Sequence, residues 1–215
     1  MAGPSIDEIV IADPGERWAD VGFEVQGGAV EVGAVRLRLT GGGAGRGILA
    51  CRVRELAGDD PDGLPATASV APLREPRPSA HPNGVVSLDH LVAFSPDLER
   101  TTAALEHAGL KLRRLREEPT PAGAPRQAFY RLGEVILEVI QAPPGSREER
   151  DPEAPARFWG LAFCVADLDA TAELLGDRLG RLRDAVQPGR RIATLRREAG
   201  IGPAVAFMSP GPDAA

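Results

Sequence analysis

A chain of 215 residues with 43% hydrophobic side chains has enough apolar material for one large domain or two small ones, which excludes disorder of the whole chain. A net charge of −6 and an isoelectric point near 5.2 argue against a nucleic-acid partner, which requires an extended cationic face. Cys51 and Cys164, each inside an apolar run, are too few for a disulfide framework; with no membrane-length apolar stretch and no basic leader, a soluble cytoplasmic protein is expected.

In chain order, Ile6 to Ala12 reads as a strand. Asp13-Pro14-Gly15-Glu16 has the Asp-x-x-Glu spacing of a capping box with Pro at the first helical position, and Gly22 closes a short helix. Strands are expected over 30–32, 35–40 and 47–53, so residues 1–56 form a βαβββ module with a reduced helix. Residues 57–84, rich in Asp, Pro, Ala and Gly and without sustained periodicity, read as a linker.

A fuller βαβββ module occupies 85–143. Its first strand runs to Phe94, and a helix begins at Pro96 behind Ser95 as N-cap. Leu98, Thr102, Leu105 and Ala108 form the apolar stripe, and Gly109 is the stop. Strands follow over 111–116, 127–132 and 135–141. After a Pro/Gly-rich break, a third module occupies 156–211, where Leu168, Ala172, Leu175 and Leu179 repeat the stripe before Gly180.

The second and third modules are copies. Asp97-Leu98 recurs as Asp167-Leu168 and Leu112-Arg113 as Leu182-Arg183, both 70 residues on, so one offset holds across a helix and into the next strand. The expected class is α+β: tandem βαβββ modules over 85–215, with a degenerate third module at the N-terminus.

Tandem modules in which Leu88-Asp89-His90-Leu91-Val92 opens a strand and Val135-Ile136-Leu137-Glu138-Val139-Ile140 closes the same module resemble the vicinal oxygen chelate superfamily, the fold of glyoxalases and bleomycin-resistance proteins. The resemblance implies paired modules curled into a U-shaped, partly closed mixed sheet around a small-molecule pocket. Each module then gives one metal ligand from its first strand and a Glu from its last. His90 and Glu138 match those two positions. A divalent cation (zinc, nickel, iron, manganese or magnesium) and lyase, isomerase or dioxygenase chemistry are implied. Glu138 would be general base or metal ligand, and His90 metal ligand or proton shuttle.

Strand alternation supports an inward pair, since Leu88, His90, Val92 and Phe94 share one face and Ile136, Glu138 and Ile140 share another. The third module departs from the pattern. Gly160 stands where His90 would recur, and residues 202–210 contain no carboxylate, so two ligands remain where a catalytic divalent site wants three. This opens a second expectation: no metal, and a non-catalytic binding or sequestering protein of the drug-resistance type. Were the first module to pair with the second, Glu8 and Cys51 would instead complete a set with His90 and Glu138.

Phe129, Arg131, Arg191 and Trp159 are the candidate substrate contacts, the guanidiniums suiting a carboxylate or phosphate and the rings an apolar body. The bland alternatives are solvent-facing arginines and core aromatics. His107 falls opposite the apolar stripe and should be solvated, His81 has no assigned role, and both thiols read as inert. An unpaired first module leaves a sheet edge and an apolar face in need of cover, for which a homodimer is one solution.

Overall fold

The structure, a computed structural model, describes residues 3–76, 80–119, 123, 125–146 and 151–211. Thirteen strands and three helices are assigned among them. They are β1 (Ser5–Ile11), α1 (Gly15–Asp20), β2 (Ala29–Val32), β3 (Val35–Leu39), β4 (Ile48–Arg54) and β5 (Ala66–Ser69), then β6 (Val85–Ser95), α2 (Leu98–His107), β7 (Leu112–Arg116), β8 (Gln127–Leu132) and β9 (Val135–Gln141), then β10 (Arg157–Val165), α3 (Leu168–Leu175), β11 (Arg183–Asp184), β12 (Arg191–Thr194) and β13 (Ala204–Met208). Two mixed sheets result, ordered β2-β3-β1-β4-β5 and β11-β12-β13-β10-β6-β9-β8-β7. No described helix is long and apolar enough to cross a membrane.

Parallel pairing defines the modules, because a parallel neighbour requires a crossover and so marks where a module opens and closes. Val92 of β6 pairs with Glu138 of β9, and Ala162 of β10 with Ala206 of β13, both in parallel. The same test redraws the N-terminal module. Its closing strand is β3, parallel to β1 with Val10 opposite Arg38, and not the 47–53 strand expected from sequence. That later strand, β4, pairs in parallel with β5 inside the segment read as linker, with a 3₁₀ turn at Pro61–Gly63 between them. β4 and β5 are thus a fourth, minimal module. Alternation is illegible in the Ala-Thr-Ala-Ser of β5, whose small side chains carry no strong apolar signal. Its outer edge is already engaged, the Asp60 N–H donating to the Ala66 carbonyl (2.8 Å) and the Ala68 N–H to the Asp59 carboxylate (3.1 Å).

The chain divides into two compact units: residues 1–7, 50–72 and 90–159, and residues 8–49, 73–89 and 160–215. In the first, Leu91, Leu105, Leu137, Cys51, Val53 and Phe158 are among the side chains around a void of about 10 Å³, at the lower limit for one water. Burial and the nearby Asp7 charge push the Cys51 thiol up to about 12, which makes it inert. Arg54 is 8% exposed, and its guanidinium donates to Asp7 (2.5 Å) and to the carbonyls of Ile6, Ala71 and Pro72, while the Ser69 hydroxyl donates to Asp7 (2.6 Å). The buried charge is thereby fully enclosed in hydrogen bonds, the condition under which burying it is tolerable.

In the second unit, Trp18, Phe23, Phe163 and Phe207 pack with ring centroids 5.0–6.3 Å apart. Asp13 does not cap α1 as its spacing suggested. Its carboxylate takes the Trp18 indole N–H (3.0 Å) and the Gly202 N–H (2.9 Å) instead, because a buried indole must find an acceptor. His81 is structural: Nδ1 accepts from the Glu24 N–H (3.1 Å), so Nε2 carries the proton it shares with the Glu31 carbonyl (3.0 Å). His107 is exposed, as expected from its place on α2.

α2 begins two residues later than the Pro96 start expected from sequence, and α3 begins at the equivalent Leu168. Asp97 and Asp167 are the N-caps, accepting from the N–H groups of Arg100 and of Asp169 and Ala170. Ser95 stays in β6 and hydrogen-bonds Thr101 (2.6 Å). Buried positions are Leu98, Thr101 and Leu105 in α2 and Leu168, Thr171 and Leu175 in α3, so the stripe runs through threonines and not through Thr102 and Ala172.

Two outcomes follow. Arg54→Met strips Asp7 of its guanidinium and should cost about 3–5 kcal/mol in urea unfolding, with Asp7→Asn in that background recovering part of the loss. Burial holds the His81 imidazole below its ordinary 6.5. The unfolded chain therefore binds a proton that the folded chain resists, and the contribution of His81, complete above pH 6.5, is lost as pH falls. Urea midpoints taken from pH 7 to about 5.5 should drop, and His81→Gln should flatten that part of the profile.

Candidate functional site

The second module has two unlike faces. One, carrying Leu91, Ala93, Leu137, Val139, Ala128 and Tyr130, is buried with the apolar stripe of α2. The other is set by register, because directly paired residues point the same way. Across β8, β9 and β6, Arg131 lies opposite Ile136 and Ile136 opposite His90; Phe129 opposite Glu138 and Glu138 opposite Val92; Gln127 opposite Ile140 and Ile140 opposite Phe94. On the edge strand β7, Arg114 extends the middle row and Arg116 the last, after a bulge between Leu112 and Arg114 that leaves Arg113 unmatched. His90, Phe94, Phe129, Ile136, Glu138 and Ile140 are all of intermediate exposure, so this face is covered only in part.

At its centre, His90 Nε2 is 3.5 Å from Glu138 Oε2, with the two side chains 16% and 14% exposed. The Gln127 amide N–H donates to Glu138 Oε1. Gln127 is 6% exposed, and its own carbonyl oxygen has no hydrogen-bond partner among the described residues. At the β6 end, the Trp159 ring lies 4.9 Å from that of Phe94 and the Arg157 guanidinium 5.3 Å from it; at the β7 end, Arg114 lies 6.0 Å over Phe129.

The structure thus gathers five of the six candidate residues, His90, Glu138, Phe129, Arg131 and Trp159, in one compact unit. Arg191 belongs to the other, where its guanidinium is spent on both oxygens of Asp169 (3.0 and 2.6 Å). Gln127, Phe94, Arg114 and Arg157 were not singled out from sequence. A polar residue at a strand start and an aromatic in an apolar strand are ordinary, and only register shows that they flank Glu138.

The other modules fill the equivalent positions differently. Parallel register equates His90 and Glu138 with Glu8 and Arg38 in the first module, where Arg38 Nε donates to Glu8 (2.9 Å). It equates them with Gly160 and Ala206 in the last. A Cβ at residue 160 would come within 2.6 Å of the Ala204 carbonyl oxygen, so that position cannot carry a ligand without backbone movement.

Among the described residues the donor set falls short of what a divalent cation wants. His90 and Glu138 are two donors, and no group of three or more His, Cys, Asp or Glu residues among those described is placed to hold a metal. Cys51 faces the buried core and Glu8 is engaged by Arg38.

No protein-family model matches the sequence, and no curated protein matches it. Among solved structures, a xylose isomerase-like TIM barrel/4-hydroxyphenylpyruvate dioxygenase fusion protein aligns over 100% of this chain and 50% of its own length, with a TM-score of 0.61 and 11% identity. This chain spans half of that protein. Methylmalonyl-CoA epimerase from Mycobacterium tuberculosis aligns over 60% of this chain and 91% of its own, with a TM-score of 0.49 and 22% identity. A variant of the Streptomyces coelicolor epimerase in complex with 2-nitronate-propionyl-CoA aligns over 60% of this chain and 96% of its own, with a TM-score of 0.48 and 19% identity. The whole-chain match and the repeated parallel modules show the vicinal oxygen chelate fold.

After dialysis against excess zinc or nickel, elemental analysis should find well under one equivalent bound. A retained equivalent that His90→Ala removes would reveal a third donor.

Proposed function

We propose that this chain is a small-molecule-binding protein whose ligand lies on the partly covered face of β6, β9, β8 and β7 and is held by the His90–Glu138 pair without a metal. The observation that carries this reading is the arrangement around Glu138. A carboxylate is fixed by an amide and approached by an imidazole, on a face otherwise lined by Ile136, Ile140, Phe129 and Phe94. Sites of this kind take a ligand by apolar area and orient it by a few fixed polar groups. The missing donors at Gly160 and Ala206 favour recognition over chelation.

The His90–Glu138 distance supports a second reading, proton transfer. Glu138 would take a proton from a carbon beside a carbonyl, and His90, hydrogen-bonded to the developing oxyanion, would stabilise it. One experiment separates the two. Ligands found by thermal-shift screening of the whole protein should lose their shift in Glu138→Gln and His90→Asn, whose own unfolding temperatures should stay within a few degrees of wild type. Mass spectrometry of the ligand recovered after incubation in D₂O should show it unchanged. Deuterium incorporated by wild type and not by Glu138→Gln would establish the enzyme instead, and shifts that survive both substitutions would remove the site.

A further inference from the structure

Each row of the open face ends in an arginine at the β8–β7 side: Arg131 in the first, Arg114 in the second and Arg116 in the third. Among the described residues none of the three pairs with a carboxylate; Arg131 donates through Nε to the Gly133 carbonyl (2.9 Å), and Arg114 lies over the Phe129 ring. Arg126, on the same strands' margin, is by contrast fully engaged with Glu99 and Glu117. A protein with a net charge of −6 therefore concentrates unneutralised cations at one side of one sheet face. Solvated edge arginines alone would mean little. Their placement beside the Glu138 centre, with an apolar strip between, gives the face a direction.

The centre of the face is held in place. The Gln127 side chain is more than nine-tenths buried, its carbonyl oxygen is closed off from solvent, and its amide N–H is committed to Glu138 Oε1. The Glu138 carboxylate, fixed in this way and partly exposed, is an acceptor, so the centre of the face suits an O–H or N–H group and the margin suits an anion.

Resting on the reading above, the geometry points to the ligand class: a small organic anion with a flat apolar body, its charge clamped by Arg114 and Arg131 and a hydroxyl or amine on its far end donating to Glu138. β7 and β9 are two strand spacings apart, about 10 Å, which sets the separation of the two polar ends. Phe129 sits midway in the Arg114–Glu138 row and supports the body by stacking.

The test compares 6-hydroxy-2-naphthoate, its neutral 2-carboxamide and 2-naphthoate by calorimetry on the full chain. Quenching of Trp159, 40% exposed, against Trp18, 0% exposed, reports where binding occurs. The hydroxynaphthoate should bind at least about tenfold more tightly than either analogue. Arg114→Gln with Arg131→Gln should erase the preference over the carboxamide while leaving carboxamide affinity within about twofold, and Glu138→Gln should erase the preference over 2-naphthoate. Equal affinity for acid and carboxamide would overturn the assigned ligand class and leave the site standing. Binding of none of the three, or binding without Trp159 quenching, would overturn both.

Discussion

The register between β6 and β9 is the constraint on which the candidate site depends. Because Val92 pairs with Glu138 in parallel, His90 and Glu138 fall on the same side of neighbouring strands, two residues out of step, where imidazole and carboxylate meet at 3.5 Å. A slip of one residue would turn Glu138 into the core against α2 and bring Leu137 to the surface. Burial of Leu91, Leu137 and Val139 on the helix side forbids that slip, so the apolar core and the polar pair enforce each other.

The same register carried through the other modules shows how one scaffold position is put to different uses. In the first module it holds Glu8 and Arg38, charges that satisfy one another and leave little for a ligand; Arg36 and Glu31 repeat the pattern beside it (2.6 Å). In the last it holds Gly160 and Ala206, where close strand approach leaves no room for a functional group. In the second module it holds His90 and Glu138, with Gln127 donating to the carboxylate, and among the described residues no carboxylate pairs with the edge arginines Arg114, Arg116 and Arg131.

Much of this architecture is legible in the sequence. The 70-residue offset and the strands from β6 to β9 follow from the repeat, from alternation and from punctuation by Pro and Gly, whereas His90 and Glu138 are singled out by the family resemblance, with alternation adding only that each could face a common side. The buried threonines were legible too, since Asp97-Leu98-x-x-Thr101 recurs as Asp167-Leu168-x-x-Thr171. Apolar periodicity nevertheless selects Thr102 and Ala172, because it cannot credit a hydroxyl that returns to the N-cap carbonyl and reaches Asp62 or the Asn83 carbonyl. What sequence could not supply was pairing. Whether β3 or β4 closes the first module depends on hydrogen bonds between residues some 30 positions apart, and Gln127 becomes notable only once β8 is laid against β9.

The reduction of the metal-ligand set and the retention of Gln127 bear on each other. With a cation between them, His90 and Glu138 Oε2 would be oriented by the metal, and the amide on Oε1 would be only a supporting contact. Without one, the carboxylate needs another donor to stay fixed on a face of intermediate exposure, and Gln127 provides it at the cost of an orphaned carbonyl. On the proposed reading, a ligand's hydrogen meets the carboxylate that Gln127 fixes, and the cations at the β7 margin set which end of that ligand turns outward.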